Sequence, residues 1–464
     1  MHGNTLPPLN FTPLTAHASP SVKWPLASVL AGMILGLLAV PATRAQPIVG
    51  PSPAPAAPAP GATAPSGDVG TPNLGEPTLP TSPTAPSTVT LTEPADGAVL
   101  SVEPVEGSPS SVLPKWKFNL GFEAKAYYND NIFIKPTNEA HDFVFELAPY
   151  IELAWGDYRD KEGSFGGLKY TATGRHYDQH DSLDKVDHDA VLQLQIQLAK
   201  TQLNFDFVYK SLSTADFDLA SLTQRQIFSG VIGAEYQFTG KTSLEVTVSG
   251  AMTDYDKGLD NQTYFGNLWL NSYVKPKLRL DLGVEAGSLK QQGASEQTYG
   301  RVLLRGRYLL TEKLSLRGHV GLDYREFDGG KFNVVGGLGL TYNPRVTTQF
   351  SLDVGRTISA SGSTAGSNIL ATTVVARFHQ EVFQRIRLSL AAGYTNADYA
   401  QASFITTGAQ SRNDNIYFVT PEISYRIRHW LAFSVFYTYS KNDSTRDSVS
   451  FEDNIVGIRL NGDY

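Results

Sequence analysis

The sequence predicts an all-β protein: a transmembrane antiparallel up-and-down β-barrel of about eighteen strands. Three observations predict it. From Trp116 onward, apolar residues fall on every second position, the period of a strand with one face in an apolar medium and the other in water. Connections between these segments alternate between short and long. The chain also stops in mid-alternation, with Val456, Ile458, Leu460, Gly462 and Tyr464 on one face. An open strand edge cannot exist in lipid, so such a last strand must pair with the first.

Composition agrees. The 464 residues are 41% hydrophobic with a mean hydropathy of −0.20, too polar for a bundle of membrane helices. Aromatics nevertheless reach 11%, with 22 Tyr and 23 Phe. A barrel wall hides its apolarity in this way, half its residues facing lipid and half facing water. The formal charge of −7 argues against nucleic acid as a partner. The absence of Cys excludes disulfides, thiolate metal sites, catalytic thiols and the cysteine anchor of a lipoprotein.

Residues 1–45 read as a signal peptide. An apolar run from Trp24 to Val40 follows Lys23 and precedes Pro41-Ala42-Thr43-Arg44-Ala45, with cleavage expected after Ala45. Its strongly apolar part is short of the ~20 residues a spanning helix needs. Residues 46–112 are rich in Pro, Ala, Ser and Thr and form a disordered linker in the periplasm, either a tether to peptidoglycan or a partner, or a plain spacer. Residues 113–464 form the barrel.

Its strands are read from alternating apolar positions: 118–124, 143–147, 168–172, 192–198, 203–209, 232–238, 244–248, 268–270, 278–284, 302–308, 314–324, 332–342, 350–354, 370–378, 386–394, 419–425, 431–439 and the terminal set. A spanning strand needs ~9–11 residues. After even-numbered strands the connections are short, as at Lys200-Thr201, Thr239-Gly240-Lys241, Lys275-Pro276, Thr311-Glu312, Asn343-Pro344-Arg345 and Arg428-His429. After most odd-numbered strands they are longer and polar, around 129–142, 178–189, 214–223, 359–367, 400–413 and 442–450. Short periplasmic turns alternating with longer outer loops are the rule for barrels of the Gram-negative outer membrane, and an even strand count leaves both termini periplasmic.

If the alternating apolar residues face lipid, their neighbours face the lumen. These are Arg279, Asp281 and Glu285; Arg301, Arg305 and Arg307; Arg317, His319, Asp323 and Arg325; then Arg377, Arg385, Arg387, Glu422 and Arg426. Charges at this density need water or partners. They form either an arginine-lined path that attracts anions or ladders in which Arg and carboxylates satisfy each other. Lumen aromatics are sparse, with Trp269, Tyr273 and Phe436 the clearest, and form no continuous stacking track. The stretch Asp178–Asp189 concentrates carboxylates and imidazoles; it reads as a solvated loop or a divalent-cation site among lipopolysaccharide phosphates, but lacks the spacing of a calcium loop. No metal site or cofactor is expected. With nine scattered His and no nucleophile motif, neither is an enzyme.

One short element recurs: Asp130-Asn131-Ile132, Asp414-Asn415-Ile416 and Asp453-Asn454-Ile455. All three are placed at the outer rim near the closure seam. Asp-Asn pairs favour turns by bonding their own backbone. The terminal set ending in Tyr464 resembles the signal read by bacterial barrel-assembly machinery. The element Tyr128-Asn129-Asp130-Asn131-Ile132-Phe133, with the strand pattern behind it, resembles the putative beta-barrel porin 2 family of outer-membrane proteins over about residues 116–464. Members of that family are often associated with exopolysaccharide export. The resemblance therefore implies a conduit for a secreted polymer, with periplasmic polysaccharide-export components as partners besides lipid, lipopolysaccharide and the assembly machinery. The alternatives are a general or anion-preferring diffusion porin, and a non-conducting structural barrel tethered through its linker.

Overall fold

The computed structural model describes residues 116–158, 162–326, 330–400 and 412–463. The expected signal peptide and linker, most of the 400–413 connection and Tyr464 lie outside the described residues. Eighteen strands follow one another: β1 (Trp116–Asn129), β2 (Asp142–Asp157), β3 (Glu162–Tyr177), β4 (Lys185–Gln197), β5 (Thr201–Asp216), β6 (Ser221–Thr239), β7 (Thr242–Tyr255), β8 (Asn261–Lys275) and β9 (Leu278–Gln291). The second half is β10 (Gln297–Thr311), β11 (Leu314–Arg325), β12 (Lys331–Arg345), β13 (Thr348–Ala360), β14 (Asn368–Val382), β15 (Ile386–Ala400), β16 (Arg412–Arg428), β17 (Leu431–Ser444) and β18 (Phe451–Asp463). Each is antiparallel to its neighbours in chain order, and β18 pairs with β1 from Gly121↔Asp463 to Asn129↔Ile455. The sheet is closed. Each strand read from the sequence is present.

The period of two explains the wall. On β9 and β10, Leu282, Val284, Val302 and Leu304 are 49–57% exposed on the outer face, whereas the intervening Asp281 and Glu285 are 3% and 7% exposed. Exposed apolar and buried charged side chains invert the pattern of a soluble protein, as a wall between lipid and a polar interior requires. Outward aromatics cluster near strand ends: Tyr342, Phe350 and Phe378 form a row with ring centroids 6.4 and 4.8 Å apart. Such rings suit the interfacial girdle of a membrane barrel. At the seam, Gly462 sits opposite Phe122. A Cβ there would meet the Phe122 ring at 2.4 Å, so glycine lets the ring cover the seam.

One end of the barrel carries the short connections, hereafter the turn end. Thr239 Oγ1 accepts hydrogen bonds from the Lys241 and Thr242 amides, both 3.1 Å, and so tightens that turn. Register shifts at Gln237/Thr239, Tyr273/Lys275, Leu309/Thr311, Tyr342/Arg345 and Arg426/Arg428 all lie at this end. The opposite, loop end differs from expectation in two places. The stretch 178–189 is only half connection, because β4 begins at Lys185. The stretch 214–223 is mostly strand, with pairing continued to Asp216↔Ser221. Alternation fades there because these strand ends no longer face lipid.

They leave the wall instead. β4 and β5 stop pairing at His188↔Ser211, although β5 stays with β6 to its tip. Likewise β12 and β13 stop at Gly336↔Arg356, although β13 stays with β14 to Ala360↔Asn368. Two hairpin ends thus peel away from their neighbours and turn into the lumen, where they meet.

Candidate functional site: the charged lumen and its inner latch

Charges inside the barrel are organised in two ladders. On β7–β11, Arg305 Nε donates to Asp281 (2.7 Å) and its Nη2 to Glu245 (2.9 Å) and to Asn271 Oδ1 (3.1 Å). Arg279 Nε donates to the same Asp281 at 2.9 Å. Nearer the loop end, Arg301 bridges Glu285 (2.7 Å) and Asp323 (2.6 Å), and Arg325 donates to Asp323 at 2.9 Å. The second ladder straddles the closure seam. Arg175 joins Glu146 (2.6 Å) to Asp187 (3.1 Å), while Arg459 joins Glu422 (2.9 Å) to Glu123 (3.4 Å). Arg459 is 1% exposed. The sequence reading did not single it out, although its place between Ile458 and Leu460 was signal enough.

The remaining candidates are distributed differently. Arg307 stands opposite Arg279 and Arg317 in register. Arg317 and Arg377 bond Asp353 at 3.0 and 3.2 Å, and Arg387 and Arg426 approach Glu381 at 2.9 and 3.7 Å. These pairs are more exposed than the ladders. Arg385 is not a lumen residue: it lies exposed in the β14–β15 turn, where its carbonyl accepts the Arg426 amide. The period of two fails there because Phe383 and Gln384 adopt positive φ and turn the chain.

Aromatic side chains are commoner inside than the sequence suggested. Besides Trp269 and Phe436, the buried set includes Phe265, Tyr299, Tyr399, Phe418 and Phe451, while Tyr273 is half-exposed. Their faces are occupied. Trp269 lies flat on Gly283, where a Cβ would meet the ring at 2.5 Å, and the Arg305 guanidinium sits 4.2 Å from its ring centroid. Tyr299 is held between Arg301 and Arg325 at 4.7 and 4.6 Å. Rings capped in this way stiffen the ladders by cation–π contact and offer no stacking face to a sugar.

At the loop end the two inturned hairpins form a latch. Asp218, at the β5–β6 tip, is 1% exposed. Its carboxylate accepts from Ser361 Oγ at 3.1 Å, Ser363 Oγ at 2.7 Å and the amides of Gly362 and Ser363, all in the β13–β14 loop. That loop is anchored on β9, where Gln291 donates to the carbonyls of Ser361 and Thr364 and accepts from the Gly366 amide. Arg412 at the start of β16 donates to the carbonyls of Asp218 (2.7 Å) and Phe217 (3.1 Å). Phe217 stacks on Phe451 with centroids 5.1 Å apart and packs against Ile134 and Ile416. Going round the ring from β5 through β4, β3, β2, β1, β18 and β17 to β16 takes seven steps of the eighteen. The tip therefore spans the mouth.

The recurrent Asp-Asn-Ile elements build the receiver for this tip. Asp414 holds the Arg412 guanidinium through Nε at 3.0 Å and Nη2 at 2.5 Å, and Ile416 supplies part of the Phe217 pocket. Asn131, fully buried, donates to the carbonyls of Lys135 (2.8 Å) and Glu452 (2.9 Å). Ile132 packs with Val144 and Tyr177. Asn454 donates to Asp130 through its amide and side chain at 2.7 and 2.8 Å, tying β18 to the first loop across the seam. Asp453 is buried on the inner face, while Asn415 accepts from Tyr394 at 2.7 Å and Ile455 pairs with Asn129. Val456 and Ile458 of the terminal set are exposed on the outer face beside Leu460.

In the acidic loop, His176 bonds Asp184 and His180 bonds Asp142, at 2.6 and 2.7 Å. The His176 hydrogen bond holds the Asp184 carboxyl below its usual range. Among the described residues no group of three His, Asp or Glu side chains could hold a metal ion.

Residues 116–464, the whole of this barrel, match the family described as Putative beta-barrel porin 2. The chain belongs to that family. Solved barrels are also similar to this putative beta-barrel porin 2 member. OccAB4 of Acinetobacter baumannii is 11% identical, with a TM-score of 0.42, 75% of this chain and 98% of that one being covered. OccAB3 of the same organism is 13% identical, with a TM-score of 0.41 and coverage of 75% and 99%. The siderophore receptor PirA of Pseudomonas aeruginosa is 10% identical, with a TM-score of 0.37 and coverage of 74% and 80%. No curated protein matches the chain. The protein is a porin-like β-barrel of the outer membrane.

Proposed function

We propose that the barrel is a diffusion channel for small polar solutes whose outer mouth is held nearly shut by the Asp218 latch. In this reading the loop end faces outward and both termini lie in the periplasm, where the terminal strand is within reach of assembly machinery. The single observation that carries it is the latch itself: two wall hairpins cross the lumen of an eighteen-stranded barrel, a strand number that otherwise leaves an aqueous channel. Selectivity for anions is weak, because Arg279, Arg301, Arg305 and Arg325 already bond Asp281, Glu285, Glu245 and Asp323.

The family's association with polymer export supports a second reading, and one observation favours it. The obstruction consists of wall hairpins, so their return to the wall would clear the whole bore. Liposome swelling with sugars of increasing size separates the two. A small-solute channel admits monosaccharides slowly and excludes oligosaccharides, and loss of the gene leaves secreted polymer unchanged. Rapid passage of long oligosaccharides, or loss of secreted polymer on deletion, would favour the conduit. Complete impermeability, persisting after the latch is cut, would leave only the structural barrel.

A further inference from the structure

We propose that the lumen wall contains a binding site for a carboxylate-bearing amphiphile, reached sideways from the membrane through the break between β12 and β13. The proposal rests on the membrane setting of the barrel and not on what passes along its axis.

The break is a real interruption of the wall. Both strands continue toward the loop end beyond their last shared pair, Gly336↔Arg356: β12 to Lys331 and β13 to Ala360. β12 keeps its other partner, β11, as far as Arg325↔Lys331. Among the described residues its edge over 331–335 therefore has no strand partner. That stretch lies within the apolar belt, because Phe332 and Val334 are 73% and 55% exposed on the outer face. The β12 alternation from Phe332 to Tyr342 matches the ~9–11 residues of a spanning strand. A bare edge facing hydrocarbon leaves N–H and C=O groups unpaired, which lipid tails cannot satisfy. Water or the polar part of an occupant must do so.

Behind the break lies a cavity of about 140 Å³. A volume near ~150 Å³ fits a molecule the size of benzene; Glu245, Glu285, Arg301, Arg305 and Arg325 make one side of the cavity charged. Its apolar patch is Trp269, Leu303 and Val335, closed from the lumen side by Ile358 of the inturned β13. The same cavity is lined by Arg356, which pairs with Gly336 at the last intact rung. Gly336 lies on the outer face, between Val334 and Leu338. Arg356, in register with it, is exposed, at the lip of the cavity. Unlike Arg301, Arg305 and Arg325, Arg356 has no carboxylate partner among the described residues; its Nη1 donates to Thr372 Oγ1 at 2.9 Å. A cation with no carboxylate partner among the described residues at the lip, and an apolar patch behind it, match a single carboxylate with a short alkyl or aryl tail.

Trp269 is a reporter placed in the cavity. The protein would be reconstituted whole into bilayers and titrated with 8-bromooctanoate, whose terminal bromine quenches indole at contact. Trp116, Trp155 and Trp430 near the turn end report bromoacid dissolved in the bilayer. The expected result is saturable quenching of the fluorescence that Trp269→Phe removes, with an apparent Kd about tenfold weaker in Arg356→Gln and weaker for the uncharged methyl ester. Ile358→Phe, which fills the cavity, should abolish it. If Trp269→Phe does not fold, competition on the native protein gives the answer: saturable recovery of fluorescence by unbrominated octanoate supports the site. Quenching of the other tryptophans alone, or quenching that neither octanoate nor Arg356→Gln alters, would overturn it.

Discussion

Replacing Asp218 by alanine is expected to open the barrel. The carboxylate gathers two serine hydroxyls and two amides in a site 1% exposed to solvent. Removing one member of such a buried charged network costs ~3–5 kcal/mol. The cost falls on the latched state alone, since the withdrawn hairpin would be hydrated. Taking the lower figure, the latched-to-open ratio falls about a hundredfold, at ~1.4 kcal/mol per decade. Planar-bilayer recordings should change from rare brief openings to a sustained open level, with the urea midpoint of the barrel little altered. Phe217→Asp should act in the same direction by unseating the tip from Phe451, Ile134 and Ile416. Unchanged open probability in both variants would show that the hairpins do not gate the lumen.

The second large effect concerns stability. Asp323 is fully buried and bonds both Arg301 (2.6 Å) and Arg325 (2.9 Å). Asp323→Ala leaves two buried guanidinium groups short of a counter-charge, with an expected loss of ~3–5 kcal/mol. The measurement is the urea midpoint of refolding into bilayers, read by heat-modifiable gel migration. Asp323→Glu should recover part of the loss. A midpoint within ~0.5 kcal/mol of the native value, the range of an ordinary surface change, would mean that lumen water solvates the arginines and that the ladder contributes little. In surviving Asp323→Ala barrels the reversal potential should move toward anions, because the lumen gains one net positive charge: Arg325 loses its carboxylate while Arg301 keeps Glu285.

The wall was legible in the sequence because its cause is local. A strand with lipid on one side and water on the other must alternate, and Phe118 to Leu460 do so with few exceptions. The charged partners were partly legible for the same reason: parity placed Arg301, Arg305 and Asp323 indoors. Which carboxylate each would meet depends on register, which the sequence does not state. Arg385 was misplaced because two residues of positive φ reset the alternation just before it. The latch was not legible. Phe217 and Asp218 sit in a polar stretch indistinguishable from an outer loop, and their partners lie more than 140 residues away, at Ser361, Arg412 and Phe451. The Asp-Asn-Ile repeats did mark the place, but as turn formers rather than as the receiver of a hairpin tip.

The native chain has no Cys, so a disulfide can be introduced without background. Asp218→Cys combined with Ser363→Cys places two thiols where a carboxylate and a hydroxyl now touch at 2.7 Å. Conductance of this double variant before and after reduction tests the latch most directly. Oxidised, with the hairpins stapled across the mouth, the barrel should stay at the low level of the native protein. Reduced, lacking both polar partners, it should open to a large sustained level, and reoxidation should restore the low one. Equal conductance in the two states, with the disulfide verified by mass, would contradict a mouth governed by these hairpins.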